Sequence, residues 1–295
     1  ILTVEDFVSW NPEELAQKCS LSYKALVAVR RVLLAQYTAY PISGADLYEE
    51  LLSSTALDKL LDSGLYTGEI TELTGSPGSG KTQVCFSVAV NISHQLKQTV
   101  VYIDTKGGMC ANRLLQMLQT KTSNEQEQME ALQKIKVFRV FDVFSLLACL
   151  QNLRSTGLQK TSVGGGSVKA LMVDSVSAVL SPILGGKQNE GMSLLMQVAG
   201  ELKMIAKDFN IAVLVTNHVT KDGNGQLKAG LGLSWSHVPR TRVLLQRVEN
   251  EETSSLRTAT LTKSSRQACH MTKVFDLCHW SEERTTSISG KRKLD

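Results

Sequence analysis

The segment Gly75-Ser76-Pro77-Gly78-Ser79-Gly80-Lys81-Thr82 fits G-x-x-x-x-G-K-[ST] and constrains the fold more than any other stretch of the chain. Such a loop works only between a strand and a helix, because strand end and helix N-terminus together aim backbone N–H groups at one point. Both flanks are present: the apolar run Glu69 to Leu73 leads in and the helical stretch Gln83 to Ile92 follows. A chance match in a chain of ordinary composition has a probability of about 1%. The glycines let the backbone curl into a nest of donors for phosphate. Lys81 adds a point charge for the β- and γ-phosphates, and Thr82 a hydroxyl for Mg2+. Asp174 closes the run Ala170-Leu171-Met172-Val173 at the C-terminal end of a strand, where ligands bind in parallel sheets. Alone it reads as a turn residue; beside this loop it is the expected carboxylate partner of the metal. The sequence therefore predicts an ATP–Mg2+ site on residues 75–82 with Thr82 and Asp174 at the ion.

The rest of the chain is organised as such a loop requires. Short apolar runs at Thr99 to Ile103, Ile135 to Arg139, Ala170 to Val173 and Ile211 to Thr216 alternate with periodic stretches at Ala111 to Leu118, Val143 to Leu153 and Met192 to Phe209. That alternation predicts an α/β domain, a mostly parallel sheet with helices on both faces. Period-two patterns at Arg242 to Val248 and Thr258 to Thr262 predict an antiparallel meander on one edge. Gly164-Gly165-Gly166 predicts a flexible loop. Near the start, Asn11-Pro12-Glu13-Glu14 supplies a cap, a first-turn proline and acids for a helix. Ser22 can cap a second helix that turns Leu26, Val27, Val29, Val32 and Leu33 inward and Lys24, Arg30 and Arg31 to solvent. Ala39-Tyr40-Pro41-Ile42-Ser43-Gly44 then breaks the periodicity. The expected domains are a small helical unit (1–38), a linker (39–56), the nucleotide-binding domain (57–286) and a disordered tail (287–295). Lys291-Arg292-Lys293 in that tail is either a targeting or phosphate-contacting arm or simply solvated.

Composition narrows the class. With 295 residues, 42% of them apolar and 20% charged, the chain suits one large domain and a small accessory. No apolar run approaches the roughly 20 residues of a membrane-spanning helix, and no signal-peptide pattern opens the chain. A net charge of +4 permits contact with nucleic acid without requiring it. The six cysteines are scattered with no C-x-x-C pair, the pattern of reduced thiols in cytosol or nucleus. Cys269–His270 and Cys278–His279 match no zinc spacing and read as strand residues, one side chain in and one out. The chain opens at Ile1 rather than Met, so its start is missing or processed.

Gly64-Leu65-Tyr66-Thr67-Gly68-Glu69-Ile70-Thr71-Glu72 leads into the loop. Val101-Tyr102-Ile103-Asp104-Thr105, Val173-Asp174-Ser175 and Val215-Thr216-Asn217 follow in order. This set resembles the eukaryotic and archaeal RecA-type strand-exchange recombinases. Glu14-Leu15-Ala16-Gln17-Lys18-Cys19 and Tyr23-Lys24-Ala25-Leu26 are most similar to the D-type recombinase paralogues of vertebrates, subunits of complexes that support homologous recombination. The resemblance implies a RecA-like core, ATP with Mg2+, and a nuclear, partly cytoplasmic, protein. Its implied partners are other paralogue subunits, met through the 39–56 linker and the ATPase face, and single-stranded or branched DNA, with no membrane.

The departures sharpen this. In the family a glutamate follows the Tyr-Ile-Asp-Thr strand end and polarises the attacking water; here that position is Lys106, followed by Gly107 and Gly108. A lysine beside a triphosphate stays protonated and cannot act as the base. Loss of a water-positioning group costs orders of magnitude in phosphoryl transfer. Lys106 either reaches the phosphates itself or is solvated, and Asp104 is a fallback base that its place in the family disfavours. His218, beside Asn217, stands where the family carries a glutamine that senses the γ-phosphate; it can donate to phosphate and adds pH sensitivity. The family's second DNA loop corresponds to Thr220 to His237, with Lys221, Lys228 and a Trp235 able to stack on a base. The first corresponds to Ser181 to Gly191, with Lys187 its only cation. Two or three phosphate contacts give weak, salt-sensitive binding; solvent-exposed loops are the ordinary alternative. Ser54-Thr55-Ala56 runs directly into Leu57 where the family has a longer segment, through an isoform or absent residues, which would lower ATP affinity.

The expected function is an ATP-binding subunit in homologous recombination repair of breaks and stalled forks. It binds single-stranded DNA, promotes recombinase filament assembly and hydrolyses ATP weakly. Tyr37, Tyr40 or Ile42 would dock on a neighbour's sheet edge or pack on their own domain. A fully active DNA-dependent ATPase and strand-exchange enzyme is the alternative, which Lys106 opposes. A small-molecule kinase would need a lid of clustered arginines that no segment supplies.

Overall fold

The computed structural model describes residues 15, 22–29, 60–61, 64–158, 167–184, 188–221, 223, 225, 227–248 and 255–277. The chain divides into two compact units, Ile1–Ser53 and Ser54–Asp295. The Asn11 helix start, Tyr37, Tyr40, Ile42, the 39–56 linker, Gly164 to Gly166, Lys187, Cys278–His279 and the 287–295 tail lie outside the described residues. In the first unit residues 23–29 are helical, and the Leu26 N–H donates to the Ser22 carbonyl at 3.0 Å. Leu15 and Leu26 are buried and Val27 is half-buried, but Val29 is 49% exposed rather than turned inward; Arg30, Arg31, Val32 and Leu33 lie outside the described residues.

The second unit opens with β1 (Ile70–Gly75), α1 (Lys81–His94), β2 (Thr99–Asp104), α2 (Ala111–Gln119), α3 (Glu125–Gln133) and β3 (Ile135–Arg139). It continues through α4 (Val143–Asn152), β4 (Val168–Asp174), α5 (Val176–Leu184), α6 (Gln188–Asp208) and β5 (Ala212–Asn217). It ends with the hairpin β6 (Val219–Lys221) and β7 (Leu227–Ala229), α7 (Gly232–Ser236), β8 (Thr241–Arg247), β9 (Leu256–Lys263) and β10 (Thr272–Asp276). One sheet of eight strands runs in the order β10-β9-β8-β1-β5-β4-β2-β3. The strands from β8 to β3 are parallel to their neighbours, and β9 and β10 add antiparallel pairs at one edge. The predicted antiparallel meander is present, with β8 pairing antiparallel to β9, while on its other side β8 runs parallel to β1.

Central strands buried on both faces read as continuous apolar runs, as β2 and β5 do. Their alternate side chains feed two cores. Val101, Ile103, Leu171, Val173, Val213 and Val215 face one, closed by α4, α5 and α6. Val100, Tyr102, Ala170, Met172 and Leu214 face the other, closed by α1, α2 and α3. α4 is capped by Asp142, which accepts from Phe144 N and Ser145 N at 2.9 Å each.

Two expected loops are largely ordered structure. Ser181 to Gly191 is the end of α5 and the start of α6 apart from residues 185–187. A Cβ on Gly191 would overlap the Ile183 carbonyl oxygen, so this glycine serves close helix contact rather than flexibility. Thr220 to His237 holds the β6–β7 hairpin and α7. Cys269 and His270 lie in an exposed turn between β9 and β10 rather than in a strand. No helix among the described residues is long and apolar enough to cross a membrane.

Candidate nucleotide site

β1 ends at Gly75 and α1 begins at Lys81, so residues 76–80 form the loop between them. Gly78 and Gly80 adopt φ of 74° and 100°, left-handed values open to glycine at little cost. Gly75 is required for space: a Cβ there would overlap the Leu245 carbonyl oxygen and Ser79 Oγ. The first N–H groups of α1 have no intrahelical partner and open toward the loop. Lys81 is buried, its ammonium donating to the Gly75 and Ser76 carbonyls at 2.8 Å each and to Ser79 Oγ at 3.3 Å. Burial first, and then the charge of Lys106, lower its pKa to about 8, against the pull of Asp174.

Asp174, at the end of β4, gathers three hydroxyls. Thr82 Oγ1 donates at 2.6 Å, Tyr102 OH at 3.0 Å and Thr216 Oγ1 at 2.5 Å. Burial, then the charges of Cys85 and Asp174, push the Tyr102 phenol far up, so it remains a donor. The structure thus brings Thr82 and Asp174 together across two elements. Among the described residues no group of three or more His, Cys, Asp or Glu could hold a metal ion. A divalent ion here would therefore complete its oxygen shell with phosphate and water, the usual arrangement for Mg2+.

The fallback base is committed elsewhere. Asp104 is buried; its Oδ1 accepts from the N–H groups of Lys106, Gly107 and Gly108 at 3.0, 2.9 and 3.2 Å, and its Oδ2 from Met109 at 2.9 Å. Both of its oxygens are engaged in building the loop after β2. Lys106 is exposed, and its ammonium lies 3.4 Å from His218 Nε2. Burial, followed by Lys106 and Lys81, lowers the His218 pKa, which favours the neutral ring as acceptor.

Trp235 corrects the sequence reading. It is 0% exposed, part of the core under α6, and its indole Nε1 donates to Glu72 Oε1 at 2.7 Å. A ring in that position cannot stack on a base; its job is to satisfy a buried carboxylate. Glu72, also 0% exposed, accepts from Asn217 Nδ2 at 2.8 Å and from Arg242 Nε as well. Lys221 and Lys228 are exposed on the hairpin, in the adjoining pairs Lys221↔Leu227 and Thr220↔Lys228.

Sequence reasoning missed Arg247. Its guanidinium carbon lies 3.9 Å from where a Cβ on Gly78 would sit, and the residue is exposed at the end of β8. The signal that finds it is register, since Gly75 pairs with Leu245 and β8 runs two residues further, past the loop.

Residues 49–253 match the family model described as Rad51, and residues 1–36 match that of the RAD51D N-terminal domain. The DNA repair protein RAD51 homolog 4 of Mus musculus is 54% identical over 99% of this chain and 92% of its own length. That alignment spans 304 positions, so the mouse protein has residues within the matched span that this chain lacks. The protein of the same name from Bos taurus is 55% identical over 94% of this chain and 88% of its own length. The DNA repair and recombination protein RadA of Aeropyrum pernix is 30% identical, covering 83% and 80%. The solved structure of the RadB recombinase shares the fold with a TM-score of 0.63 at 24% identity, over 76% of this chain and 93% of that one. A RecA-like sheet with a glycine-rich loop at the end of β1, matched across most of the chain and at its N-terminal unit, makes the conclusion plain: the chain belongs to the Rad51 family, in the branch that carries the RAD51D N-terminal domain.

Proposed function

We propose that this chain is an ATP-binding subunit of a recombinase-paralogue assembly in homologous recombination repair, and that it holds ATP and Mg2+ as a switch with slow hydrolysis. Relatives from two mammals and from Aeropyrum pernix carry DNA repair in their names, which supports the general role. ATP and Mg2+ suit the residues present. Gly75, with no room for a Cβ, and the left-handed Gly78 and Gly80 form a cradle closed by the buried Lys81, while Thr82 and Asp174 present oxygens to a cation. Bound there, ATP brings its phosphate charge and Mg2+ neutralises part of it. The chain's own part is to orient phosphates on backbone donors and hold Lys81 charged beside them.

The observation that carries slow hydrolysis is the surroundings of Lys106. Its ammonium faces His218, and the carboxylate of Asp104 spends its oxygens on four backbone N–H groups. Lys106 itself, in the place of the family's glutamate, takes no proton from water. We further propose docking of other paralogues through the 39–56 linker and the ATPase face, nuclear and partly cytoplasmic residence, and weak contact with single-stranded or branched DNA through Lys221 and Lys228. Two cations give a shallow, salt-sensitive affinity.

Single-turnover hydrolysis with DNA, on wild type and Lys106→Glu, tests the reading, together with co-purification of candidate paralogues with wild type and Lys81→Ala. Slow wild-type turnover, a gain in Lys106→Glu and loss of a partner in Lys81→Ala are expected. Fast wild-type turnover that Lys106→Glu does not raise would make the chain a full DNA-dependent ATPase instead.

A further inference from the structure

Lys106 and His218 stand at two positions where the chain departs from the recombinase pattern beside the phosphates, and in the fold they touch, at 3.4 Å. The contact is not local. β2, β4 and β5 are neighbours in the order β5-β4-β2. Lys106 lies two residues beyond β2 and His218 one residue beyond β5, so their bridge crosses the end of β4, where Asp174 receives Thr82. Both ends are firmly mounted. Asp104 holds the backbone N–H of Lys106 and of the three residues after it, and Thr216 is fastened to Asp174 and Asn217 to Glu72. The moving part is the exposed lysine side chain alone. Mutual electrostatic influence among Lys81, Lys106, His218 and Asp174 fits one shared pocket mouth.

The Lys106 ammonium rests against His218 Nε2, and its long side chain must swing away from the ring to reach a phosphate. Its bond to a neutral imidazole is weaker than a charge-assisted bond to phosphate. A γ-phosphate arriving over Thr82 and Asp174 therefore outcompetes His218 for Lys106, whereas a diphosphate leaves the bridge closed. We propose that Lys106 sets this site's preference for a nucleoside triphosphate over a diphosphate by exchanging His218 for the terminal phosphate. The released His218 is the residue immediately before β6, so the exchange alters the mooring of the β6–β7 hairpin. The inference rests on the ATP reading above and adds the group that distinguishes ATP from ADP.

The test measures Mg2+-dependent affinities of the full chain for ATP and for ADP, with trypsin cleavage at Lys221 and Lys228 as a second readout. Lys106→Met should lower ATP affinity about tenfold, the order of one charge-assisted phosphate bond. ADP affinity should change by less than about twofold, and Lys106→Arg should keep most of the preference. His218→Ala should retain the ATP preference but erase the difference in hairpin cleavage between the ATP and ADP states. Because Lys106 is exposed, an unchanged melting midpoint is expected for its variants. Equal losses for ATP and ADP in Lys106→Met, or an unchanged ratio, would overturn the proposal. A wild type that binds neither nucleotide, or a Lys81→Ala that binds both as well as wild type, would instead overturn the ATP site itself.

Discussion

Replacing Trp235 by Phe separates a structural indole from a DNA-stacking one. The indole Nε1–H is the only hydrogen-bond donor Phe would delete, and it reaches a fully buried carboxylate at 2.7 Å. A hydrogen bond to a charged group contributes about 1.5–3 kcal/mol. Losing the second ring leaves a void of roughly 40 Å3, worth about 1 kcal/mol at ~24 cal/mol per Å3. The expected cost is thus about 2.5–4 kcal/mol, and at ~2–4 °C per kcal/mol for a domain of this size the melting midpoint falls by roughly 5–15 °C. Thermal unfolding followed by near-UV circular dichroism measures it, and salt-titrated fluorescence anisotropy on a single-stranded oligonucleotide measures DNA affinity below the transition. Affinity should stay within about twofold, since no base reaches the ring, whereas stacking would be worth ~1–3 kcal/mol per base. A midpoint within about 2 °C of wild type combined with a clear loss of DNA affinity would refute the buried role and return Trp235 to the DNA loop.

Gly75→Ala should abolish ATP binding, measured by equilibrium dialysis, because the new methyl must displace either the Leu245 carbonyl or Ser79 Oγ. ATP affinity should be flat below pH 7 and fall as pH rises past about 8, the lowered value of Lys81. The sign follows from linkage: phosphate favours charged Lys81, so binding above that pH takes up a proton and weakens as protons become scarce. Tyr102→Phe should cost about 1–2 kcal/mol of stability in urea titrations, by deleting one donor to buried Asp174, and should weaken Mg2+-dependent more than Mg2+-free nucleotide binding. Arg247→Ala should lower nucleotide affinity a few-fold without moving the melting midpoint, because the guanidinium is exposed and stands over Gly78 of the loop.

The nucleotide loop was legible because its spacing encodes its geometry. Glycines at 75, 78 and 80, with a lysine one step later, leave few backbone paths, and a strand and a helix flank them as the motif demands. The central strands were legible for a related reason: buried on both faces, β2, β4 and β5 spell themselves as apolar runs. α3 was missed because its sequence, Glu-Gln-Glu-Gln-Met-Glu-Ala-Leu-Gln, buries only Gln128 and Ala131 and so carries almost no apolar stripe. The reading of Trp235 failed at a different level. A tryptophan amid glycines looks like a loop residue, and only the tertiary fold shows α7 pressed beneath α6 with Glu72 waiting inside. Glu72 itself gave no signal, because a carboxylate in an apolar strand becomes interpretable only when its donors, from residues 145, 163 and 170 positions away, are known.

Those donors lead to how the site communicates with the hairpin. Thr216, Asn217 and His218 are consecutive at the end of β5, and successive strand side chains point to opposite faces. Thr216 donates to Asp174 on β4, on the face that carries the nucleotide loop. Asn217, on the opposite face, donates to Glu72 on β1 and to the Gly230 carbonyl just beyond β7. His218 returns to the first face and meets Lys106. One tripeptide therefore reaches β4, β1 and the loop after β2, and its next residue begins the hairpin. Two of these ties, through Thr216 and Asn217, are buried and hold β5 in register, so they change little when ligand arrives. The His218 tie alone lies at the exposed mouth, where phosphate can compete for its partner. A hairpin whose base is held by buried bonds through Thr216 and Asn217, by the Gly230 N–H on the His218 carbonyl, and by one exchangeable side-chain bond can respond to the nucleotide without the sheet itself moving, as the proposed ATP switch requires.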